Sequence, residues 1–265
     1  QSSDNMSMEL SYDMSVSRPN ISVLDPYVDY TTPLQLTYGN TDLKPENTNS
    51  VAFTINQRIK RYTLITSLSY AATDRLILNY QYIDKNMLHN TTGNIGKKND
   101  LMLYNSLSGR LSRKVYARLM QSMSYVDYSA PKIDCKQHGW IYFVRGFMEY
   151  ELPKGCYLNI EGSYRSKSIL LQGRGDDKYY YSVYLSKYYF NNKLKLMLSA
   201  DNFLNIHKIN ETEKATNNYT VKSYDKYYKA SFMFSAILRL GKLKARIKET
   251  DKTIQRDTDI KYNYD

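Results

Sequence analysis

Residues able to do chemistry are few in this chain of 265 residues. His89, His138 and His207 lie far apart and lack the short spacing by which two imidazoles share a metal ion. Glu149 and Glu151 are two positions apart, so both carboxylates lie on one face of an extended strand. Such a pair could serve acid-base chemistry, but solvated charge is the commoner role. The sequence contains no G-x-S-x-G, P-loop or paired C-x-x-C motif. We predict no catalytic residue, no metal site, no bound cofactor and no enzymatic activity.

The dominant pattern is an apolar residue at every second position, which is typical of a strand with one apolar and one polar face. The clearest run lies near the end of the chain and has seven apolar steps: Tyr228, Ala230, Phe232, Phe234, Ala236, Leu238 and Leu240. Strands of soluble sandwiches usually end after about five or six residues, whereas a membrane-spanning strand needs about 9 to 11. This run has the length expected of a strand in lipid.

The same alternation recurs along the chain and predicts about ten strands of roughly 11 to 14 residues. The predicted strands lie near residues 6–16, 51–58, 63–70, 101–111, 115–124, 140–152, 158–165, 179–190, 193–201 and 227–240. The polar faces often carry a charge in mid-strand, as in Arg145 and Glu161. A water-filled lumen accommodates such charges better than a second packed sheet does.

The predicted connections fall into two alternating classes. Short joins lie near residues 60–61, 112–114, 153–155 and 191–192, and long loops span about 18–46, 73–96 and 205–226, with medium loops near 129–137 and 168–176. Outer-membrane barrels have short periplasmic turns and long extracellular loops. A soluble antiparallel sheet also alternates, but the strand length, lumenal charge and loop asymmetry favour an all-β, antiparallel, up-and-down transmembrane barrel.

Composition agrees with a barrel. The chain has 28 tyrosines, many at predicted strand ends, where the apolar ring contacts lipid and the hydroxyl reaches headgroup water. Strand propensity or a carbohydrate-binding surface also enriches tyrosine. No stretch of 18 apolar residues occurs, so a transmembrane helix is not expected. The negative mean hydropathy of −0.60 does not argue against a barrel, because only alternate residues need to face lipid.

The two cysteines, Cys135 and Cys156, are predicted to be free thiols. A whole strand of roughly 15 residues separates them, which at about 3.3 Å per residue exceeds the reach of a disulfide.

The formal net charge of +11 does not indicate a nucleic-acid-binding protein. Lysines and arginines are spread over turns, loops and the polar faces of strands, without a nucleic-acid-binding motif. Residues 241–265 mix both signs of charge with few apolar residues. We expect two regions, the barrel part over 1–240 and a polar periplasmic tail over 241–265.

Three segments resemble a known family. The segment Gly39 to Glu46, GNTDLKPE, is similar to the G-N-P-x-L-K-P-E motif of TonB-dependent outer-membrane receptors, with Thr41 in place of Pro. Upstream, Ser17-Arg18-Pro19 and the segment Leu24 to Tyr27 resemble the S-R-P and L-N-P-Y elements of the outer membrane β-barrel family proteins, with Asp25 in place of Asn. The segment Asp201 to Asn205, DNFLN, is similar to the penultimate-strand signature of the same receptors.

The resemblance implies the C-terminal part of a barrel of 22 strands in the outer membrane of a Gram-negative cell. It implies an N-terminal plug and a TonB box, which contacts an inner-membrane complex, and both would lie in a region preceding Gln1. The expected partners are outer-membrane lipid, the missing N-terminal strands and plug, the TonB complex and the barrel-assembly machinery. A ten-stranded sheet can close by itself, but we expect an open, curved half-barrel.

Two functions remain open at this point. The first is a receptor and transporter that captures a ligand at its extracellular loops. The alternative is a small complete barrel with protease-like activity at its rim. The transported ligand is left open among an iron chelate, a glycan, a peptide and a cobalamin-like compound. Candidates for ligand contact are four polar aromatic and acidic residues of the first long loop, which could also serve ordinary loop packing: Tyr27, Asp29, Tyr30 and Tyr38.

Overall fold

The structure is a computed structural model that describes residues 5–215 and 220–240. In this part of the chain it contains one short helix, α1 (Ile21–Leu24), and fifteen strands. The strands are β1 (Met6–Ser17), β2 (Gln35–Thr37), β3 (Glu46–Ile59), β4 (Tyr62–Asp84), β5 (Met87–Arg110), β6 (Val115–Ala130), β7 (Cys135–Leu152), β8 (Cys156–Arg165), β9 (Ile169–Leu170), β10 (Gly173–Arg174), β11 (Lys178–Tyr189), β12 (Leu194–Asp201), β13 (His207–Ala215), β14 (Thr220–Tyr228) and β15 (Ser231–Leu238). The predicted tail over 241–265 lies outside the described residues.

Ten strands form one continuous antiparallel path in the order β1-β3-β4-β5-β6-β7-β8-β11-β12-β15. Each strand pairs with its neighbours along the path, as expected of an up-and-down barrel wall. The two ends of the path, β1 and β15, are not paired with each other over the described residues. The all-β class, the number of path strands and the open sheet are therefore as predicted.

The predicted faces are confirmed by exposure. Apolar residues at alternate positions align across strands in the registered row Leu10, Phe53, Leu68, Leu103, Met123 and Tyr142, and all of these except the half-buried Met123 are exposed. On the opposite face lie Ser106 and Asn159, both buried, and an ion pair between Arg145 Nη2 and Glu161 Oε1 at 2.5 Å. An exposed apolar face of this kind is the one that a barrel wall presents to lipid, and the polar face is the one that lines the lumen.

The predicted loop over 73–96 is wrong. Strands β4 and β5 continue through it as one long hairpin, which closes at a tight turn with Lys85 and Asn86 at positive φ. A register shift near Thr73 and Leu76 lets the hairpin bend above the barrel wall. The medium loop over 129–137 is likewise reduced to the 3₁₀ turn Pro131–Ile133, because β6 and β7 extend into it.

The predicted loops over 168–176 and 205–226 also contain strands. A second sheet forms above the wall in the order β14-β13-β10-β9. Lys208 in β13 is buried, and its Nζ lies 3.1 Å from Asp176 Oδ2 and donates to the carbonyl of Asp177. A buried ammonium needs such partners, so this contact ties the second sheet to the segment before β11.

The seven-step run that ends at Leu240 is not one strand. Tyr228 pairs with His207 in the second sheet, and β15 begins only at Ser231. Between them Lys229 belongs to neither strand; its N–H donates to Ile206 O at 2.8 Å and its carbonyl accepts from Asn202 Nδ2 at 3.4 Å. The hydrogen bonds of this turn override the alternating pattern.

A small apolar core lies at the loop end of the wall. Ile95, Ala130 and Leu171 are buried together, with Leu78 and Tyr80 packed against them. Leu171 belongs to the turn between β9 and β10, so the chain segment after β8 folds back onto β5 and β6. The cap at this end is therefore a packed structure.

Both cysteines are free, as predicted. Cys135 begins β7 and Cys156 begins β8, with the full length of β7 between them. The Cys135 thiol donates to Leu171 O at 2.9 Å, and burial raises its pKa. In the described part of the chain, no helix is both long and apolar enough to cross a bilayer.

Candidate functional site

The candidate site begins with an unpaired edge. Strand β6 pairs with β5 only from Lys97 onward, which leaves the upper edge of β5 without that neighbour. Strand β2 of the first loop covers part of it in parallel register, pairing Gln35 with Leu88 and Thr37 with Asn90. Unpaired backbone groups are costly, so this edge fixes where the first loop lies.

The segment Gly39 to Glu46 begins with backbone contacts to an earlier part of the same loop. The Gly39 N–H donates to Asp25 O at 2.9 Å and the Asn40 N–H donates to Val23 O at 2.8 Å. A Cβ at Gly39 would lie 2.5 Å from Asp25 O and 2.6 Å from Val23 O. Only glycine allows this approach of the two chains, which gives the motif glycine a structural role.

The remainder of the motif contacts the β4–β5 hairpin near its register shift. Asn40 Nδ2 donates to Thr92 O at 3.1 Å, and the Ile77 N–H donates to Glu46 Oε1 at 2.5 Å. The motif therefore serves as a bracket between the first loop and the bent hairpin. The side chains of Asn40 and Glu46 are thereby engaged within the protein.

An aromatic cluster, formed by Tyr38, Tyr80, Tyr82 and His89, lies where the first loop meets the hairpin. Tyr38 Oη lies 2.8 Å from Tyr82 Oη and 3.2 Å from His89 Nδ1. The rings of Tyr82 and His89 stack with centroids 4.7 Å apart, and Tyr80 stacks on Tyr82 at 5.9 Å. This arrangement holds Tyr38 in one orientation.

The electrostatics of the aromatic cluster favour neutral phenols. Burial, and then the hydrogen bond with Tyr82, raise the pKa of Tyr38 from 10.0 to about 12. Burial also raises the pKa of Tyr80. At neutral pH both hydroxyls are un-ionised and serve as hydrogen-bonding groups.

Three of the four predicted contact residues line one shallow cavity of about 310 Å³: Tyr27, Asp29 and Tyr38. Tyr30 does not line it and is 68% exposed. Asp29 Oδ1 accepts the Thr31 N–H at 2.8 Å, a bond that holds the pKa of this carboxyl below its usual range. Asp29 and Tyr38 thus have protein partners, whereas the Tyr27 ring is free to meet solvent at 73% exposure.

A larger open cavity of about 1160 Å³ lies between the hairpin and the β6–β7 turn. Its charged lining has four cations and two carboxylates: Lys44, Arg75, Lys132, Lys136, Asp42 and Asp134. Tyr80 and Tyr82 of the aromatic cluster also line it, together with the amides Asn40, Asn94 and Gln172. Such a lining suits a polar ligand rich in hydrogen-bond acceptors.

The turn after β9 closes one side of this cavity. Gln172 Oε1 accepts the Gln81 N–H at 3.1 Å, and Gln172 Nε2 donates to Gln81 O at 3.3 Å. One side-chain amide thus makes the two hydrogen bonds with Gln81 of β4 that the backbone of a neighbouring strand would make. The loop from the far side of the sheet is thereby fixed beside the aromatic cluster.

The DNFLN segment folds around one tyrosine ring. Tyr181 Oη accepts the N–H groups of Leu204 at 2.8 Å and Asn205 at 3.1 Å, and Phe203 packs edge-on against its ring. Asn202, at φ 46°, accepts the Tyr181 N–H at 3.2 Å. This motif, like the first, fixes a turn at the loop end of the wall.

Sequence reasoning missed Tyr80, Tyr82, His89 and Gln172. A signal for the tyrosines was present, because Leu78, Tyr80 and Tyr82 alternate with Asn79 and Gln81 up to the turn at Asn86. His89 and Gln172 act through partners distant in sequence and had no local signal. No group of three or more potential metal ligands comes together within residues 5–215 and 220–240.

Comparison with known proteins agrees with this architecture. The structure is similar to that of the outer membrane transporter YddB from Escherichia coli (TM-score 0.53, 14% identity, 88% of this chain covered) and to that of the copper transporter OprC (TM-score 0.58, 12% identity, 89% covered). The chain spans 38% of the length of each. No curated protein sequence matches it. The family model for the outer membrane protein beta-barrel family matches residues 1–237, and the chain therefore belongs to that outer-membrane family.

Proposed function

We propose that this chain is the C-terminal barrel portion of a TonB-dependent outer-membrane receptor that takes up a ligand through the outer membrane. The observation that carries the proposal is the open ten-stranded wall, whose fold is that of two outer-membrane transporters and spans about 38% of each. In this proposal, further strands pair with the free edges of β1 and β15, a plug fills the lumen, and a TonB box links the plug to the inner membrane. Residues 241–265 would form a polar tail in the periplasm.

The ligand would enter at the loop end. The large cavity there is wide, open and polar, and its cations outnumber its carboxylates. Tyr27, Asp29, Tyr30 and Tyr38 belong to the loop beside it, and we assign them to the ligand-facing surface. Tyr38 would act by holding the aromatic cluster, whereas Tyr27 and Tyr30 would stack on the ligand.

Ligand screening of the intact receptor tests this proposal. Purified receptor would be titrated calorimetrically with ferric chelates, oligosaccharides, peptides and cobalamins. We expect one class to bind, and Lys132→Gln and Tyr27→Ala to weaken it. Lys154→Gln, at the short-turn end of the wall, is the matched control and should bind normally. Equal affinity of all variants would contradict the assigned entrance.

The DNA upstream of the Gln1 codon distinguishes the transporter from the alternative, a small barrel with rim protease activity. A continuous reading frame that encodes a plug supports the transporter. A signal peptide directly before Gln1, together with cleavage of a peptide library by the purified barrel, would support the protease and contradict the transporter.

A further inference from the structure

A groove crosses the lipid-facing side of the wall near the short turns. Its volume is about 540 Å³, within the usual range of roughly 300 to 1,000 Å³ for ligand pockets. The walls are apolar and come from four neighbouring strands: Leu107, Leu111, Leu119, Met148 and Ile160. At the end nearest the turns the ring of Tyr62 limits the groove.

The floor of the groove is made by two registered glycines. Gly146 of β7 lies opposite Gly162 of β8. A Cβ on Gly146 would meet no atom within 4 Å, and one on Gly162 would meet only Tyr180 O at 3.9 Å. The fold therefore has room for side chains at both positions, and the groove exists because these residues are glycine.

The turns that border this end of the wall are basic. The four turns 60–61, 111–114, 153–155 and 190–193 contain six cations and no carboxylate: Lys60, Arg61, Arg113, Lys114, Lys154 and Lys193. Arg61 lies 5.4 Å from the centroid of the Tyr62 ring, and its Nε donates to Tyr62 Oη at 3.2 Å. Arg61 thus lies directly beside Tyr62, which lines the groove.

From this combination we infer a binding site for one anionic phospholipid of the periplasmic leaflet. An acyl chain lies in the groove over Gly146 and Gly162, and the phosphate meets Arg61 and the cations of the 111–114 turn. Basic clusters at a membrane surface attract anionic headgroups in this way. The inference depends on the membrane placement of the wall and not on the transported ligand.

Charge and position argue for this occupant. Short turns mark the periplasmic end of outer-membrane barrels, so the groove lies at the depth of the inner leaflet, where phospholipid is the anionic lipid. A peptide strand would need free backbone groups for pairing, but the groove lies on the face of four paired strands. A lipid chain needs no such groups.

Native mass spectrometry of the full-length protein, delipidated in detergent and incubated with phosphatidylglycerol or phosphatidylcholine, tests the site. We expect one retained phosphatidylglycerol, no retained phosphatidylcholine, and loss of retention in the doubly filled variant Gly146→Leu/Gly162→Leu. Arg61→Gln/Lys114→Gln should weaken retention about fivefold for each cation removed. Lys193→Gln, in a turn outside the groove, is the matched control and should behave as the unchanged protein.

Heat-modifiable migration on gels checks that each variant is folded. The charge variants change only turn residues, so they test the site even if the filled variant does not fold. Equal retention of both phospholipids, unchanged retention in either double variant, or retention of added lipopolysaccharide in their place would overturn the inference.

Discussion

The side chain of Asn94 and the backbone of Lys44 form a reciprocal pair of hydrogen bonds. Asn94 Oδ1 accepts the Lys44 N–H at 2.7 Å, and Asn94 Nδ2 donates to Lys44 O at 2.8 Å and to Arg75 O at 2.6 Å. One amide thus holds the L-K-P-E part of the motif against the register shift in the β4–β5 hairpin. The first loop and the bent hairpin therefore depend on each other for their positions.

Asn94→Ala should release the first loop. The substitution removes three hydrogen bonds to the backbone of Lys44 and Arg75, each worth about 0.5 to 1.5 kcal/mol. Limited proteolysis should cut residues 18–46 faster while β7 stays protected. Asn56→Ala is the control, since Asn56 makes no side-chain hydrogen bond among the described residues. Unchanged protection of the loop would show that Asn94 does not hold the first loop against the hairpin.

Gly39→Ala should destabilise the same region through crowding alone. The added methyl would lie 2.5 Å from Asp25 O, and overpacking of this kind costs about 1 to 3 kcal/mol. Gly146→Ala adds the same methyl where nothing lies within 4 Å and should be neutral. Urea unfolding in lipid vesicles would compare the two, and equal midpoints would contradict the close approach at Gly39.

Sequence pattern predicted the wall because one physical requirement acts on all of it. Every strand must present apolar side chains to lipid, so positions such as Leu68 and Leu103 repeat with period two. Outside the bilayer that requirement ends. There the position of Lys229 is set by its contacts with Ile206, Asn202 and the Tyr179 ring. The alternation at Tyr228 therefore does not predict which strand this residue pairs with.

The candidate site was predicted only in part for the same reason. The Gly39 to Glu46 motif directly precedes β3, and Tyr38 lines a cavity. Its partner His89 lies 51 residues away, and Gln172 contacts Gln81 from 91 residues away. Such contacts arise from the curvature of the sheet, which no local spacing records.

The pKa of Tyr38 gives a prediction about alkaline pH. Because folding raises this pKa from 10.0 to about 12, the stabilisation is complete below pH 10 and is lost as pH rises toward 12. Ultraviolet titration of tyrosinate should show a late component that is smaller in Tyr38→Phe, and loop protection should fall in the same pH window. Tyr30→Phe should retain the late component. An identical titration of Tyr38→Phe and the unchanged protein would contradict the cluster.

The assigned faces of β15 can be tested with one charge. Phe234 is 65% exposed on the lipid-facing side, so Phe234→Arg should cost about 2 to 4 kcal/mol of folding stability near the bilayer midplane. The adjacent residue Ser235 faces the lumen, so Ser235→Arg should cost far less folding stability. Folding yields in lipid vesicles would measure both, and equal yields would show the faces to be wrong.

The exposed edges predict the behaviour of residues 1–265 expressed alone behind a signal sequence. On β1 the apolar side chains Leu10 and Tyr12 are 74% and 69% exposed, and Phe232 on β15 is 75% exposed. Neither edge strand pairs with a further strand among the described residues. In hydrocarbon, each unpaired backbone group costs several kcal/mol. We therefore expect aggregation or degradation and no energy-dependent uptake, measured by recovery from outer membranes and by transport assays. A protease-resistant, heat-modifiable monomer active in uptake would refute the half-barrel proposal.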